Sequence, residues 1–187
     1  MSDPTSQPPG AAPQPSGATP QLDMPALVLR PLASGDFQAI DKLDERAFGP
    51  GRFTKTAYRL REGVSPDLNL SYVATIGRMV IGSNLMTPIR CGDAPALLLG
   101  PLTVEPAFRS RGIGEALANR SLDAAREAGH RLVILVGDEP YYKRLGFKRT
   151  PMGRLAMPGP VDPARLLYCE LVGGAFEGIS GPVSRAL

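Results

Sequence analysis

The sequence is poor in the residues that metal sites and disulfide frameworks need. It has 187 residues with no tryptophan, one histidine, two cysteines and only 6% aromatic residues. His130 alone cannot build a histidine-based metal cluster, and it argues against a Cys–His nucleophilic dyad. Cys91 and Cys169 are far apart in sequence and do not form a disulfide framework. This usage of cysteine is typical of a reducing compartment.

Long apolar runs are also missing. No stretch approaches the ~18–20 uninterrupted apolar residues that a membrane-spanning helix needs. The N-terminus has neither the basic start nor the apolar block of a secretory signal. With 43% hydrophobic and 21% charged residues, the composition is typical of a globular domain. We therefore expect a cytoplasmic protein without membrane partners. A net charge of +3 favours an anionic ligand but is too small to indicate nucleic acid.

Residues 1–24 differ in composition from the rest of the chain. They contain six prolines and no aromatic residue, lysine or arginine. Such a segment cannot bury enough apolar area to offset its ordering entropy, so we predict a disordered tail with polyproline II character. Docking to a proline-binding module is the less favoured alternative. The remaining residues, 25–187, are predicted to form one domain.

That domain alternates strand and helix patterns in the order β-α-α-β-β-β-α-β-α-β-β, which predicts a mixed α/β fold around one sheet. A strand, a helix and a strand in the middle indicate a right-handed crossover between parallel strands. Gly100-Pro101 predicts a bulge, because proline cannot donate to a sheet ladder. The predicted strands are Ala26–Leu32, Leu70–Ile76, Met79–Thr87, Ala94–Val104, Leu132–Val136 and Arg165–Val172. The first predicted helix has Ser34 as its N-cap and ends at Gly49-Pro50-Gly51. Three further helices are predicted over Lys55–Arg61, Gly112–Ala128 and Pro140–Leu145.

The segment Leu102–Gly114, LTVEPAFRSRGIG, carries the strongest chemical signal. A strand ends, a short loop follows, and glycines open a helix. Gly112 and Gly114 remove Cβ atoms where a ligand could approach the backbone. The free N–H groups of a helix N-terminus favour a phosphate, and Arg109 and Arg111 add positive charge. This pattern predicts a site for an anion of pyrophosphate size.

The bare string is not specific. In a chain this rich in arginine and glycine, R-x-x-G-x-G is expected by chance about 0.2 times, and a relaxed loop with solvated arginines would read the same way. Two other nucleotide folds are excluded. Gly112 is followed by Ile113 and Gly114 rather than by the Lys-Ser/Thr of a Walker A loop. The G-x-G-x-x-G fingerprint of a Rossmann unit is also absent from this string.

The order of two motifs is more informative. L-x-V-x-P at Leu102–Pro106 precedes the arginine- and glycine-rich string, and GDEPYYKRLGF at Gly137–Phe147 follows after an apolar strand. In this arrangement the chain resembles the GNAT superfamily of acetyl-CoA-dependent N-acetyltransferases, and in detail its YhbS-like branch. The resemblance covers nearly all of Ala26–Val172 and excludes the tail.

The resemblance implies acetyl-CoA as co-substrate and no metal. The backbone of Leu102, Thr103 and Val104 would pair with the pantetheine arm like an added strand. Tyr142, four residues before Gly146, would protonate the leaving thiolate as a general acid. Tyr141 would pack. The pyrophosphate would bind to the loop and helix start formed by Arg109, Ser110, Arg111, Gly112, Ile113 and Gly114.

The general base is not assigned. Many family members place a glutamate on a central strand, where this chain has apolar residues. Glu45, Asp138 and Glu139 are candidate replacements, although each also reads as a solvated carboxylate. His130 and Cys169 read as structural residues, while Cys91, in a predicted turn, is a minor candidate for an acyl-cysteine.

The function that follows is transfer of an acetyl group from acetyl-CoA to a primary amine by direct attack. The acceptor would be a small molecule or a peptide. Two alternatives are a CoA-binding sensor or scaffold with little turnover, which the missing strand carboxylate supports, and toxin-like acetylation of aminoacyl-tRNA, which the small net charge disfavours. The oligomeric state, with a homodimer among the options, is open.

The tail gives the first testable prediction. Because residues 1–24 lack a core-forming pattern, their deletion should leave the melting temperature and the CoA affinity unchanged within error. Thermal unfolding of the full and truncated chains, with and without CoA, measures both. A loss of several degrees would mean that the tail packs on the domain.

Overall fold

The computed structural model describes residues 26–49 and 56–186, so the predicted disordered tail lies outside the described residues. The strands are β1 (Leu27–Pro31), β2 (Tyr72–Ile76), β3 (Met79–Cys91), β4 (Ala94–Val104), β5 (Leu132–Val136), β6 (Lys148–Arg149), β7 (Leu155–Ala156), β8 (Leu166–Glu170) and β9 (Gly181–Arg185). The helices are α1 (Phe37–Phe48), α2 (Thr56–Arg59), α3 (Ile113–Glu127) and α4 (Glu139–Tyr142).

The strands form one nine-stranded mixed sheet, and helices cover both of its faces. The order along the sheet is β1-β2-β3-β4-β5-β8-β6, and β9 pairs with both β3 and β7. β4 and β5 are parallel and are joined through α3, whereas β1 to β4 are antiparallel. The predicted mixed α/β fold around a single sheet is thus confirmed.

The alternation of side chains explains why helices are needed on both faces. In β5, Val133 and Leu135 pack with the α3 residue Leu122, while Ile134 faces a second cluster that contains Leu60. All of these side chains are almost fully buried. The apolar run of β5 is therefore that of a central strand covered on both sides, as predicted. α1 packs on the face opposite α3, over β2 and β3.

β4 carries the predicted bulge. Asn84 of β3 pairs with Leu102, but Met86 pairs with Leu99, so β4 holds one extra residue at Gly100-Pro101. Parallel pairing with β5 is restricted to Leu97 and Leu98. Beyond the bulge, β4 continues along β3 while β5 continues along β8, and the two strands separate. A wedge-shaped gap opens between their carboxyl ends.

The structure also differs from the predicted elements. Ser34 does not cap a helix directly, because a 3-10 turn over Ser34–Asp36 comes first. Asp36 stabilises that turn by accepting hydrogen bonds from the Ala33 N–H (2.9 Å) and from Arg30 (2.7 Å). β3 runs on to Cys91, because β9 supplies a partner for its last residues. No bounds were predicted for β6, β7 and β9. β6 and β7 have only two residues each, too few for a readable periodicity, and the five residues of β9 pair with the distant strands β3 and β7.

Candidate active site

Two cavities meet beside the end of β4. The first is a cleft of about 510 Å³ in the gap between β4 and β5, with α1 and α2 on its other side. The second, of about 520 Å³, lies over the start of α3. The residues that line both are Val104, Arg109, Gly114 and Tyr141. Together the cavities form one groove that runs from a helix N-terminus to the wedge in the sheet.

The edge of β4 that faces this groove offers backbone hydrogen-bonding groups. The N–H of Glu105 donates to the carbonyl of Ile81 at 2.8 Å. Antiparallel pairs alternate between hydrogen-bonded and non-hydrogen-bonded, so Thr103 pairs with Ser83 through its backbone. The N–H and C=O groups of Leu102 and Val104 then point away from β3, toward the gap. An extended amide-containing chain could pair with them as an additional strand.

The first turn of α3 forms one wall of the second cavity. Gly112 precedes the helix with a left-handed φ of 77°, and no side chain caps the helix start. A helix N-terminus leaves several N–H groups without intrahelical partners. These groups and the helix dipole favour an anion, as the sequence predicted. A Cβ at Gly112 would meet no atom within 4 Å, so the space in front of the turn is open.

The two arginines of the loop have different positions. Arg109 lines both cavities, and its Nε donates to the carbonyl of Val104 at 3.3 Å. Arg111 stacks over the Phe108 ring at 5.6 Å and lines neither cavity. Ser110 holds the loop in a tight turn with φ 61° and lines the second cavity. Of the predicted anion-binding residues from Arg109 to Gly114, only Arg111 does not line the second cavity.

The tyrosine pair separates into two environments. Tyr142 lines the first cleft, and its ring lies so close to Gly137 that a Cβ there would collide with it. It makes edge contacts with Tyr141 (4.9 Å) and Phe147 (5.8 Å). Burial raises the pKa of the Tyr142 hydroxyl well above its ordinary value, and the nearby Tyr141 and Asp138 raise it further. The hydroxyl therefore stays protonated throughout the physiological range.

Tyr141 is the residue that joins the two cavities. Its hydroxyl lies 2.8 Å from the place that a Cβ of Gly114 would occupy. Arg144 stacks on the outer face of its ring at 5.2 Å. Burial raises the pKa of Tyr141, the charge of Glu115 raises it further, and Arg144 opposes the shift. A residue larger than glycine at position 114 would therefore collide with the Tyr141 hydroxyl, which explains the glycine there.

The cleft is lined by a buried carboxylate, Asp44, which the sequence analysis did not single out. Asp44 of α1 is 9% exposed and accepts a hydrogen bond from the Thr103 hydroxyl at 2.5 Å. Asp41, one helical turn earlier, lines the same cleft. Both positions share a helix face with Ala47. That spacing of three residues was the available signal in the sequence.

Arg61 is the second residue of the cleft that sequence reasoning missed. It follows α2 and lines the cleft near the bulge, with Nη2 3.5 Å from the place of a Gly100 Cβ. Burial lowers the pKa of this guanidinium to about 10, while the charges of Asp44 and Tyr58 act in the opposite direction. The cleft therefore combines a half-buried cation with the carboxylates of α1.

The predicted base candidates do not converge on the cleft. Glu45 is exposed on α1 and points away from the lining residues. Glu139 forms an ion pair with Arg149 outside the cleft. Asp138 does line the cleft, at its rim, and pairs with Arg165 at 3.2 Å.

The cysteines and His130 are remote from the groove. Cys91 ends β3 instead of lying in a turn, and burial raises the pKa of its thiol to about 12, which argues against an acyl-cysteine. Cys169 packs in the core beneath α3. Within residues 26–49 and 56–186, no group of His, Cys, Asp and Glu side chains is arranged to hold a metal ion. In the same ranges, no helix is long and apolar enough to cross a membrane.

Residues 67–149 match the model of the acetyltransferase (GNAT) domain. This segment contains the β3–β4 edge, the start of α3 and the tyrosine pair. This segment is thus similar to GNAT acetyltransferase domains, the family that the two motifs resemble. The chain is 29% identical to the uncharacterized N-acetyltransferase YhbS of Escherichia coli K12 over 151 residues, which are 79% of this chain and 89% of YhbS.

Solved structures show the same similarity. The crystal structure of Escherichia coli YhbS in complex with CoA is 27% identical, with a TM-score of 0.74 over 86% of this chain and 89% of that one. A GNAT acetyltransferase from Brucella melitensis, solved with acetyl-CoA, is 28% identical, with a TM-score of 0.58 over 81% and 99% of the two chains. This chain is similar in fold and sequence to acetyltransferases that bind CoA or acetyl-CoA.

The geometry at α3 predicts the effect of a charge at Gly112. Asparagine and aspartate both tolerate left-handed backbone, so Gly112→Asn and Gly112→Asp are matched in strain and size. CoA should raise the melting temperature of the wild type by mass action. Gly112→Asp should abolish that rise, because its carboxylate would face the diphosphate, whereas Gly112→Asn should keep much of it. Equal CoA shifts in the two variants would place the diphosphate elsewhere.

Proposed function

We propose that this protein transfers the acetyl group of acetyl-CoA to the primary amine of a small molecule or peptide. The observation that carries the proposal is the continuous groove. It joins an uncapped helix N-terminus, a free strand edge and a cleft that holds a half-buried tyrosine and a buried carboxylate. Diphosphate, pantetheine amides and thioester occur in the same order along acetyl-CoA. CoA and acetyl-CoA in the crystal structures of relatives give further support.

The residues present fit this ligand. The N–H groups at the start of α3 would hold the diphosphate, with Arg109 beside it and Gly112 and Gly114 leaving space. The outward N–H and C=O groups of Leu102 and Val104 would pair with the pantetheine amides. Thr103 would contribute through its side chain, which holds Asp44. Arg109 Nε donates to the Val104 carbonyl, so this side chain would have to move aside for a pantetheine amide.

The reaction needs two proton movements. Acetyl-CoA supplies an activated thioester carbonyl. The neutral amine nitrogen forms a bond to that carbonyl carbon, the carbon–sulfur bond breaks, and the sulfur leaves with the electron pair. The sulfur gains a proton and the nitrogen loses one, so that the products are an amide and free CoA. Holding both reactants in one cleft supplies much of the rate enhancement.

Tyr142 is suited to protonate the sulfur. It lines the cleft between β4 and β5, and its raised pKa keeps the proton on the hydroxyl. A general acid must be protonated when the leaving group departs. Its ring is fixed by contacts with Tyr141, Phe147 and Gly137, so the hydroxyl has a defined position.

Asp44 is suited to receive the amine. It lines the same cleft as Tyr142, and the hydroxyl of Thr103 donates to its carboxylate and orients it. At neutral pH primary amines are mostly ammonium ions, since the pKa of the ammonium group is about 10. A carboxylate in the cleft would attract the ammonium ion and accept its proton before attack. The case for a sensor without turnover depended on a missing carboxylate, and α1 supplies one where the central strands do not.

Replacement of Tyr142 by phenylalanine tests the general acid. Tyr142→Phe removes only the hydroxyl, so CoA binding should persist while kcat at saturating acetyl-CoA falls. We expect a loss at the low end of ~10²–10⁴-fold, because a thiolate leaves readily. Tyr141→Phe is the matched control and should cost little. Wild-type rates in Tyr142→Phe, with chemistry rate-limiting, would remove Tyr142 from the mechanism; a large loss in Tyr141→Phe alone would assign the role to its neighbour.

Replacement of Asp44 by asparagine tests the proton acceptor. Asp44→Asn keeps the size of the side chain and its bond from Thr103 but removes the charge. At neutral pH kcat/KM should fall by ~10²-fold or more. The deficit should shrink toward about pH 10, where the amine is already neutral. Glu45→Gln, the exposed neighbour, serves as control. A deficit that does not change with pH would show that Asp44 acts only in binding.

A further inference from the structure

The Arg61 guanidinium is a half-buried cation for which the described residues provide no direct partner. Its Nε is inaccessible to solvent and makes no hydrogen bond within the described residues. The ion pairs between described side chains do not include it either. Asp44 influences it through charge across the cleft rather than through a contact ion pair. A charge is costly to bury without a partner.

The position of Arg61 is fixed by its surroundings. The adjacent Leu60 is 1% exposed and anchors the segment in the core. α2 is tied down by the Thr56 hydroxyl, which donates to the Pro160 carbonyl at 2.6 Å. The Arg61 N–H donates to the carbonyl of Tyr58 at 2.9 Å and closes the turn after the helix. The side chain is thus held at the cleft wall, beside the bulge of β4.

The polarity of the cleft follows from these placements. Asp41 and Asp44 line the cleft from α1, and Arg61 lines it from the segment after α2. An acceptor with an amine alone would leave the guanidinium without a hydrogen-bond acceptor. An acceptor that also carries an anion near its amine would place the anion at Arg61 and the ammonium group near the carboxylates of α1.

Resting on the proposed function, we propose that the acceptor is a small amine that bears an anionic group next to the amine, of the α-amino acid type, and that Arg61 binds that anion. A carboxylate matches the planar guanidinium through two parallel hydrogen bonds. A phosphonate offers similar chemistry. The volume of about 510 Å³, shared with the acetylated end of CoA, suits a small molecule. Arg61 acts in specificity and takes no part in the chemical step.

Matched acceptors separate charge from shape. CoA release is measured with free amino acids, with the corresponding amino acid amides, and with aminoalkylphosphonates of the same carbon skeleton. The wild type should prefer the free acid over the amide by about 10- to 100-fold in kcat/KM, the range typical of a charged hydrogen bond. The phosphonate arm distinguishes a carboxylate from a larger oxyanion as the natural group.

Variants of Arg61 assign the preference to this side chain. Arg61→Gln should raise KM for free amino acids by about 10- to 100-fold, leave the amides unchanged and abolish the preference. Arg61→Lys should restore part of it, because the charge returns without the planar fork. Arg59→Gln is the matched control, since Arg59 is exposed and donates to the Pro158 carbonyl outside the cleft. The CoA-induced rise in melting temperature should persist in all three.

The outcomes distinguish the inference from the function on which it rests. Transfer to amines and amides without any preference for the acid, or a preference that survives in Arg61→Gln, overturns the role of Arg61 and leaves the acetyltransferase proposal standing. A third outcome is that free amino acids raise the melting temperature of the CoA-loaded wild type but not of Arg61→Gln, while no CoA is released. That result supports the anion site and refutes the transfer reaction. If Arg61→Gln does not fold, Arg61→Lys and the acceptor pairs in the wild type decide the question.

Discussion

The separation of β4 from β5 is the constraint on which the site depends. Two parallel strands that pair only at Leu97 and Leu98 leave the rest of β4 with an open edge. The extra residue at Gly100-Pro101 shifts the register against β3 at the point where the strands part. Because both strands keep their outer partners, the gap does not collapse. The sheet thereby presents backbone hydrogen-bonding groups to a ligand within a rigid, buried framework.

The helices place charge around that gap with different signs. α3 directs an uncapped N-terminus toward one end of the groove, where an anion is favoured. α1 brings Asp44 to the other end, and the segment after α2 brings Arg61. In the proposed reaction, separate groups would bind the cofactor and the acceptor, so changes in acceptor specificity need not disturb the binding of CoA. This division assigns the proposed chemistry to the wedge and the proposed specificity to α1 and α2.

The sequence predicted the central elements well because their signals are local. β4 and β5 have the bounds predicted, and α3 differs from its predicted range by one residue at each end. The bulge at Gly100-Pro101 was predicted because proline lacks an N–H. The edge strands β6, β7 and β9 escaped prediction, since their pairing is set by distant partners. The same holds for the end of β3, which β9 extends to Cys91.

By itself the sequence determined the mixed α/β class, the helix start marked by glycines and the place of Tyr142 four residues before Gly146. Each of these depends on a pattern of residues that are close together in the sequence. The tertiary structure alone decided which carboxylate enters the cleft. Glu45 and Asp44 are neighbours on one helix, and a rotation of about 100° per residue sends one outward and the other against Thr103. Arg61 likewise became a cleft residue only when α2 packed over the bulge of β4. Burial gives both side chains their chemistry, and burial is a property of the packed fold.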